Sequence, residues 1–325
     1  MFAVYAETLD NSEPLSGLVV GERPEPQPAD GWATVTVRAA SLNHHDLWSL
    51  RGVGLRQEAL PMILGCDAAG IDENGNEVVV HAVVPDPSWT GDETLDPKRT
   101  LLSERLQGTF ADRVVVPRRN LVAKPAALTF EEAACLPTAW LTAYRMLFTS
   151  AGVRPGNSVL VQGAGGGVAT AVVALARAAG LRVYATSRDE GKRARVLELG
   201  AHEVFEPGAR LPHRVDAVLE TVGAATWSHS LRSLRPGGTV VLAGATSGQN
   251  PSETELNRIF FLQLRVHGST MGTRDELQAL LAMLDVTGVR PLIDRTLPME
   301  QAPAGFAALH RGDVFGKVVF TRDHP

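Results

Sequence analysis

VLVQGAGGGVATAVVALARAAG, residues Val159 to Gly180, is the stretch around which the chain is organised. A short apolar run, Val159 to Val161, gives way to four glycines in five positions, Gly163, Gly165, Gly166 and Gly167, and then to a small-residue helix from Val168 to Ala179. The pattern predicts strand, tight turn and helix. Glycine at the turn lets backbone N–H groups and the positive end of the helix approach an anion at a range that side chains would forbid, and a pyrophosphate suits such a cradle. Any tight strand-to-helix junction wants glycine, so the turn alone does not name a ligand.

The next strand, Arg182 to Thr186, arrives one helix later and ends in Ser187 and Arg188. A dinucleotide fold places the group that reads the adenosine ribose at this strand end, roughly 20 residues past the glycines, and an acidic residue there takes the 2′-hydroxyl of NAD. No carboxylate holds that place here. Ser187 and Arg188, with Lys192 and Arg193 a turn further on, offer hydroxyl and cationic donors that suit a 2′-phosphate, while Asp189 and Glu190 favour the N-terminus of the following helix. The expected coenzyme is NADP(H). An ordinary solvated helix face would use the same basic residues.

The chain has 325 residues, 44% hydrophobic and 21% charged, which allows two globular domains. A net charge of -5 supplies no broad basic field for nucleic acid. No apolar run is of bilayer length, and MFAVYAETLD lacks the basic-then-apolar form of a signal peptide, so no membrane partner and a cytoplasmic location are expected. Two cysteines, Cys66 and Cys135, are too few for a disulfide framework or a four-thiolate zinc site.

Residues 1 to 124 read as strand-rich. Met1 to Tyr5 and Leu18 to Gly21 can pair across the turn at Asn11 to Pro14, and Trp32 to Ala40 alternates in part like a half-buried strand. Asn43, His44, His45 and Asp46 then lie between that strand and a short helix, which is how a site is built and also how a capped turn is built. An apolar strand is expected over Val78 to Val84, a surface loop over Pro85 to Gly108, and a strand over Phe110 to Val116. Leu128 to Phe148 reads as two helical pieces broken at Pro137. Beyond Arg188, strands at Val215 to Glu220 and Thr239 to Gly244 alternate with helices at Asp189 to Leu199 and Ala224 to Leu234, giving a parallel, doubly wound sheet. A helix at Glu255 to Leu264 enters the strand Arg265 to Gly268; helices at Arg274 to Val286 and Pro303 to His310 and a strand at Lys317 to Thr321 can return to the first domain.

Together SLNHHDLWSLRG, LPMILGCDAAG, EEAACLPTAWLTAYRML, VLVQGAGGGVATA, RPGGTVVLAGATSG, GSTMGTRDEL and FGKVVF resemble, in order and spacing, the medium-chain dehydrogenase/reductase superfamily, and within it the zinc-free, quinone-oxidoreductase-like branch. The resemblance implies an α/β chain with a GroES-like strand-rich catalytic domain (residues 1–124 and 268–325) and a Rossmann nucleotide-binding domain (residues 125–267). Where zinc relatives present cysteine, histidine and cysteine, this sequence has Asn43, Cys66 and Thr138, which do not make a catalytic zinc site, so no metal is expected. A rival metal set of His44, His45, Asp46, Cys66 and Asp67 is conceivable.

The resemblance further implies that Asn43 and Asp46 lie near the nicotinamide and its ribose, with Thr138 beside the ring. Gly165, Gly166, Gly167 and Val168 would cradle the pyrophosphate, and Gly244, Ala245 and Thr246 would flank the carboxamide. Lys317 would close the phosphate side, and His44 or His45 could give a proton. Without a metal to polarise a carbonyl, the expected substrates are already activated, a quinone or a conjugated enone reduced by direct hydride transfer from NADPH. The alternatives are a zinc-dependent alcohol dehydrogenase and a non-catalytic NADPH-binding protein. Trp48, Leu55, Phe110 and Phe261 are candidate pocket residues, and a homodimer is expected through Thr254 to Val266.

Overall fold

The computed structural model describes residues 1 to 322, which divide into two compact units. One comprises Thr142–Thr270 and Thr287–Leu292; the other comprises Met1–Leu141, Met271–Val286 and the chain from Ile293 onward. The first division thus falls after residue 141 rather than 124. The short helix Phe130–Ala134 packs on the strands Trp32–Leu42 and Asp67–Asp72, which draws it into the N-terminal unit.

The unit from Thr142 holds a six-stranded, all-parallel sheet in the order Glu203–Phe205, Arg182–Thr186, Ser158–Val161, Val215–Glu220, Leu234–Leu242, Arg265–Gly268. Its central strands are largely apolar and buried because helices cover the sheet there, and Leu160, Tyr184, Val218, Leu231 and Val240 belong to its core. The chain order reverses on either side of Ser158–Val161. That switch point is where open α/β sheets leave a crevice for a ligand, and the glycine turn sits at its carboxyl end. Helix Gly167–Ala178 is buried from Ala169 to Ala176, which explains its small residues: alanine and valine let it lie close on the sheet. The helix expected over 224–234 is shorter, Trp227–Ser233, starting after Thr226 and giving way to the next strand at Leu234.

In the other unit, seven strands form a largely antiparallel sheet ordered Leu121–Ala123, Glu77–Val80, Asp67–Asp72, Trp32–Leu42, Lys317–Thr321, Ile293–Pro298, with Arg113–Pro117 also pairing on Trp32–Leu42. Phe2–Ala6 pairs with Leu18–Glu22 as the sequence suggests. The last strand lies antiparallel to Trp32–Leu42 with Val318 opposite Leu42, which brings the C-terminal segment beside Asn43.

Two expectations change here and one holds. The strand expected over 78–84 breaks at His81, since Asn120 Nδ2 donates to the carbonyls of His81 and Val83, and Val83–Val84 turns away to pair with Thr100–Leu101 inside the expected loop. The two helical pieces expected around Pro137 are present: helix Phe130–Ala134 stops at Cys135, and Pro137 takes the second position of the π-helical turn Leu136–Trp140 that follows, where a missing N–H costs little. Leu55 and Phe110 are core rather than pocket, Phe110 packing edge-on to Phe320 at 5.2 Å and to Phe306 at 6.0 Å.

Candidate functional site

The glycine turn is built from backbone conformations that side chains resist. Gly163 has φ +67, and a Cβ there would stand 2.4 Å from Val222 Cγ2; Gly165 has φ +138. The turn is fastened to the neighbouring strand by Ala164 N–H donating to the Thr186 carbonyl at 2.7 Å and Gly163 N–H to Thr186 Oγ1 at 3.3 Å. Thr186 Oγ1 in turn donates to Gln162 Oε1 at 2.6 Å. Gly166 is the N-cap of helix Gly167–Ala178, and no atom lies within 4 Å of where its Cβ would be. Open space over a helix N-terminus fits a phosphate group.

At the next strand end, Ser187 is buried and its Oγ accepts from Asp189 N–H at 3.2 Å. Asp189 spends its carboxylate on the helix, accepting from Lys192 N–H at 2.8 Å. Arg193 braces the strand end, donating to the Ser187 carbonyl at 2.8 Å. Arg188 is exposed, and among the described residues nothing accepts a hydrogen bond from its guanidinium. Lys192 is half-buried on the first helical turn. Gly244, Ala245 and Thr246 run along Thr221–Val222, with Thr246 N–H and Oγ1 each 3.3 Å from the Thr221 carbonyl. These donors fit a dinucleotide whose adenosine end is anionic.

In the other unit a second group converges on one carboxylate. Asp67 is fully buried; its Oδ2 accepts from Ser41 Oγ at 2.8 Å and Asn43 Nδ2 at 2.8 Å, and its Oδ1 from Thr138 Oγ1 at 2.6 Å. Lys317, 2% exposed, sends its ammonium to Asn43 Oδ1 at 2.6 Å, to the Leu42 carbonyl at 2.8 Å and toward Asp67 Oδ2 at 3.5 Å. A buried charge must be paired and hydrogen-bonded, and here both are. Lys317 is therefore committed internally, which corrects the expectation that it closes a phosphate site.

Asp46, expected near the nicotinamide ribose, is hydrogen-bonded to the backbone at Asn43. Its carboxylate accepts from Asn43 N–H at 2.8 Å and Gly65 N–H at 3.0 Å, and it is fully buried, so it positions Asn43 rather than facing a ligand. Burial raises its pKa to about 7 against the pull of those two N–H groups. His44 is exposed on the first turn of helix His44–Leu50. His45 lies nearer Ser49 and Glu104, and burial lowers its pKa, keeping the imidazole neutral. Asn43 and Thr138 do come together, through Asp67. Thr138 is half-buried, with its proton spent on Asp67 and its lone pairs left to accept.

The donor set does not fit zinc. Cys66 Sγ turns to the Leu102 carbonyl at 3.1 Å, and burial pushes its thiol pKa well up; Cys135 Sγ meets the Glu131 carbonyl, its pKa pushed up to about 12 by burial. Among the described residues no group of three or more His, Cys, Asp or Glu side chains is arranged to hold a metal ion, the rival set at 44–46 and 66–67 included. Ser41 and Leu42 were missed as site residues, and Asp67 was considered only as a metal ligand rather than as the carboxylate on which the cluster converges. A carboxylate inside the apolar run LPMILGCDAAG was the available signal, since a buried charge requires partners.

Two family profiles match, an alcohol dehydrogenase GroES-like domain over residues 29–126 and a zinc-binding dehydrogenase over residues 167–285. A quinone oxidoreductase of Pongo abelii is 30% identical over 319 residues, covering 90% of this chain and 90% of that protein. The chain belongs to the medium-chain dehydrogenase/reductase superfamily. Another member, an acryloyl-coenzyme A reductase of Sulfurisphaera tokodaii, is 28% identical, covering 94% of this chain and 97% of its own length. Among solved structures of the superfamily, one described as an NAD-dependent alcohol dehydrogenase superposes with a TM-score of 0.92 at 33% identity, covering 99% of this chain and 100% of that one. The GroES-like and parallel-sheet domains expected of the superfamily are both present.

Proposed function

We propose that this chain is an NADPH-dependent oxidoreductase that reduces a quinone or a conjugated enone by direct hydride transfer, with no catalytic metal. The observation that carries the reading is the cluster on Asp67: Asn43 and Thr138, which stand where zinc relatives present thiolates, are spent on hydrogen bonds to that carboxylate. With their donors committed inside the cluster, its amide, hydroxyl and ammonium groups have none to spare for polarising an ordinary carbonyl in place of a Lewis acid. Acceptors whose charge is delocalised after reduction need none. The quinone oxidoreductase and acryloyl-coenzyme A reductase relatives act on such molecules by name, which supports the same substrate class here.

The nicotinamide, when bound, supplies the hydride. Gly165, Gly166, Gly167 and Val168 would hold its pyrophosphate by backbone N–H groups, and Ser187, Arg188 and Lys192 would take the 2′-phosphate, since Asp189 caps its own helix instead of gripping a ribose. Gly244, Ala245 and Thr246 would flank the carboxamide. Asn43 and Thr138 would line the ring side. Among the described hydrogen bonds of the Asp67 cluster no donor is left over: Lys317 gives its protons to three oxygens, Asn43 to Asp67 and the Ser41 carbonyl, and Thr138 to Asp67. The proton that completes reduction is therefore assigned to solvent or to the exposed His44.

We further propose a homodimer through the segment 254–266. Arg265–Gly268 pairs on one side only and is exposed along its length, beside Phe260 and Phe261, which are 60% and 76% exposed.

NADPH oxidation followed against a panel of small quinones and enones tests the activity. Tight NADPH binding without turnover on any of them would leave a binding protein instead. For coenzyme choice, Arg188→Asp is expected to move the preference from NADPH toward NADH; an unchanged ratio of dissociation constants would remove Arg188 from the reading.

A further inference from the structure

In the parallel sheet, Glu203–Phe205 and Val215–Glu220 are consecutive strands separated in space by Arg182–Thr186 and Ser158–Val161. Such a crossover ordinarily carries a helix, which covers the sheet as it passes. Residues 206–214 form neither helix nor strand. Where a packed helix would fill the space, a cavity of about 400 Å³ lies between this connection and helix Trp227–Ser233.

The cavity is basic. Arg210, His213 and Arg214 line it from the connection, Arg232 and His229 from the helix, and no acidic residue lines it. Among the described residues, no carboxylate pairs with Arg210 or Arg214. Arg232 reaches Glu255 at 3.4 Å, but that carboxylate is shared with Arg258 at 2.8 Å. His229 is held from both sides: its Nε2 lies 2.9 Å from the Ala209 carbonyl and its Nδ1 2.9 Å from Gln162 Nε2. Its role is to hold the wall of the cavity in place. None of the glycine-turn residues, Ser187 or Arg188 contributes to the lining, so this is a separate place on the unit.

We propose that this hollow binds a small oligophosphate, either free or as the phosphate end of a nucleotide. Guanidinium groups arriving from two directions match the spread charge and planar oxygen pairs of linked phosphates, and the volume suits a ligand of that size. In a chain of net charge -5, two guanidinium groups in one hollow with no acidic partner among the described residues, Arg210 and Arg214, are not explained by solubility.

Calorimetric titration with sodium tripolyphosphate tests the site, in a Gly166→Asp background whose glycine turn repels phosphate. One ligand per chain is expected, with affinity at least tenfold weaker after adding Arg210→Ala and Arg214→Ala. A charge-matched control, Arg56→Ala with Arg154→Ala, should leave the isotherm in place; both control positions are exposed and lie outside the cavity. ADP in place of tripolyphosphate separates the two sources, and Arg210- and Arg214-dependent binding of either upholds the site. Superimposable isotherms with and without Arg210 and Arg214, or an equal loss in the control pair, overturn it.

Discussion

Thr138 Oγ1 donates to Asp67 Oδ1 at 2.6 Å across 71 positions of sequence, so a half-exposed hydroxyl is held as an acceptor by a carboxylate that no solvent reaches. Removing it should be felt in the reaction more than in the fold. Thr138→Val is expected to lower kcat/KM with NADPH about tenfold, the loss of roughly one hydrogen bond, while Thr138→Ser stays near wild type. Steady-state kinetics on both variants decides, and equal activity in all three proteins would take Thr138 out of the site.

Lys317 and Asp67 depend on each other. Lys317→Met or Asp67→Ala alone should cost about 3–5 kcal/mol, because each strands a buried polar partner. The double variant should lose clearly less than the two losses added together. Urea unfolding of the four proteins measures this coupling; additive losses would mean that the pair does not interact.

Asp46 sets a pH signature. Its carboxyl group is held at about 7 by burial, far above its unfolded value, so folding favours the protonated form. Stability from this group is whole below the unfolded pKa and declines as pH rises toward 7. Relative to Asp46→Asn, which does not titrate, the wild type should lose up to about 3 kcal/mol between pH 5 and pH 8. Thermal melts of both proteins at those two pH values provide the check, and a constant difference would contradict it.

The glycine turn separates fold from ligand. Gly163→Ala should destabilise by about 1–3 kcal/mol, since φ +67 and the Val222 methyl both oppose a Cβ. Gly166→Asp should leave the melting temperature unchanged or slightly raised, aspartate being a good N-cap in extended backbone. The same change should weaken NADPH binding by about 100-fold through repulsion of the pyrophosphate. Fluorescence titration of NADPH beside a thermal melt distinguishes the two effects.

Metal content is a direct check on the chemistry. Protein purified without added zinc should carry far less than one metal per chain and keep its reductase activity in the presence of a chelator. Stoichiometric zinc lost together with activity would favour alcohol dehydrogenase chemistry.

What the sequence determined by itself was local or periodic. Gly163 and Gly165 dictate a turn because glycine alone readily accepts their positive φ, and largely apolar runs such as Val215–Glu220 dictate buried parallel strands. The order of motifs gave the superfamily, and the missing carboxylate after Thr186 pointed to the coenzyme expected. Tertiary structure alone decided which polar residues are spent on one another. Lys317 meets Asn43 across 274 positions, and Phe110 meets Phe320 across the strand-rich unit, through strand pairing that no local pattern encodes. The hollow beside Arg210 has the same origin: the strand Glu203–Phe205 and the space left by the connection after it emerge only once the strands are laid in order.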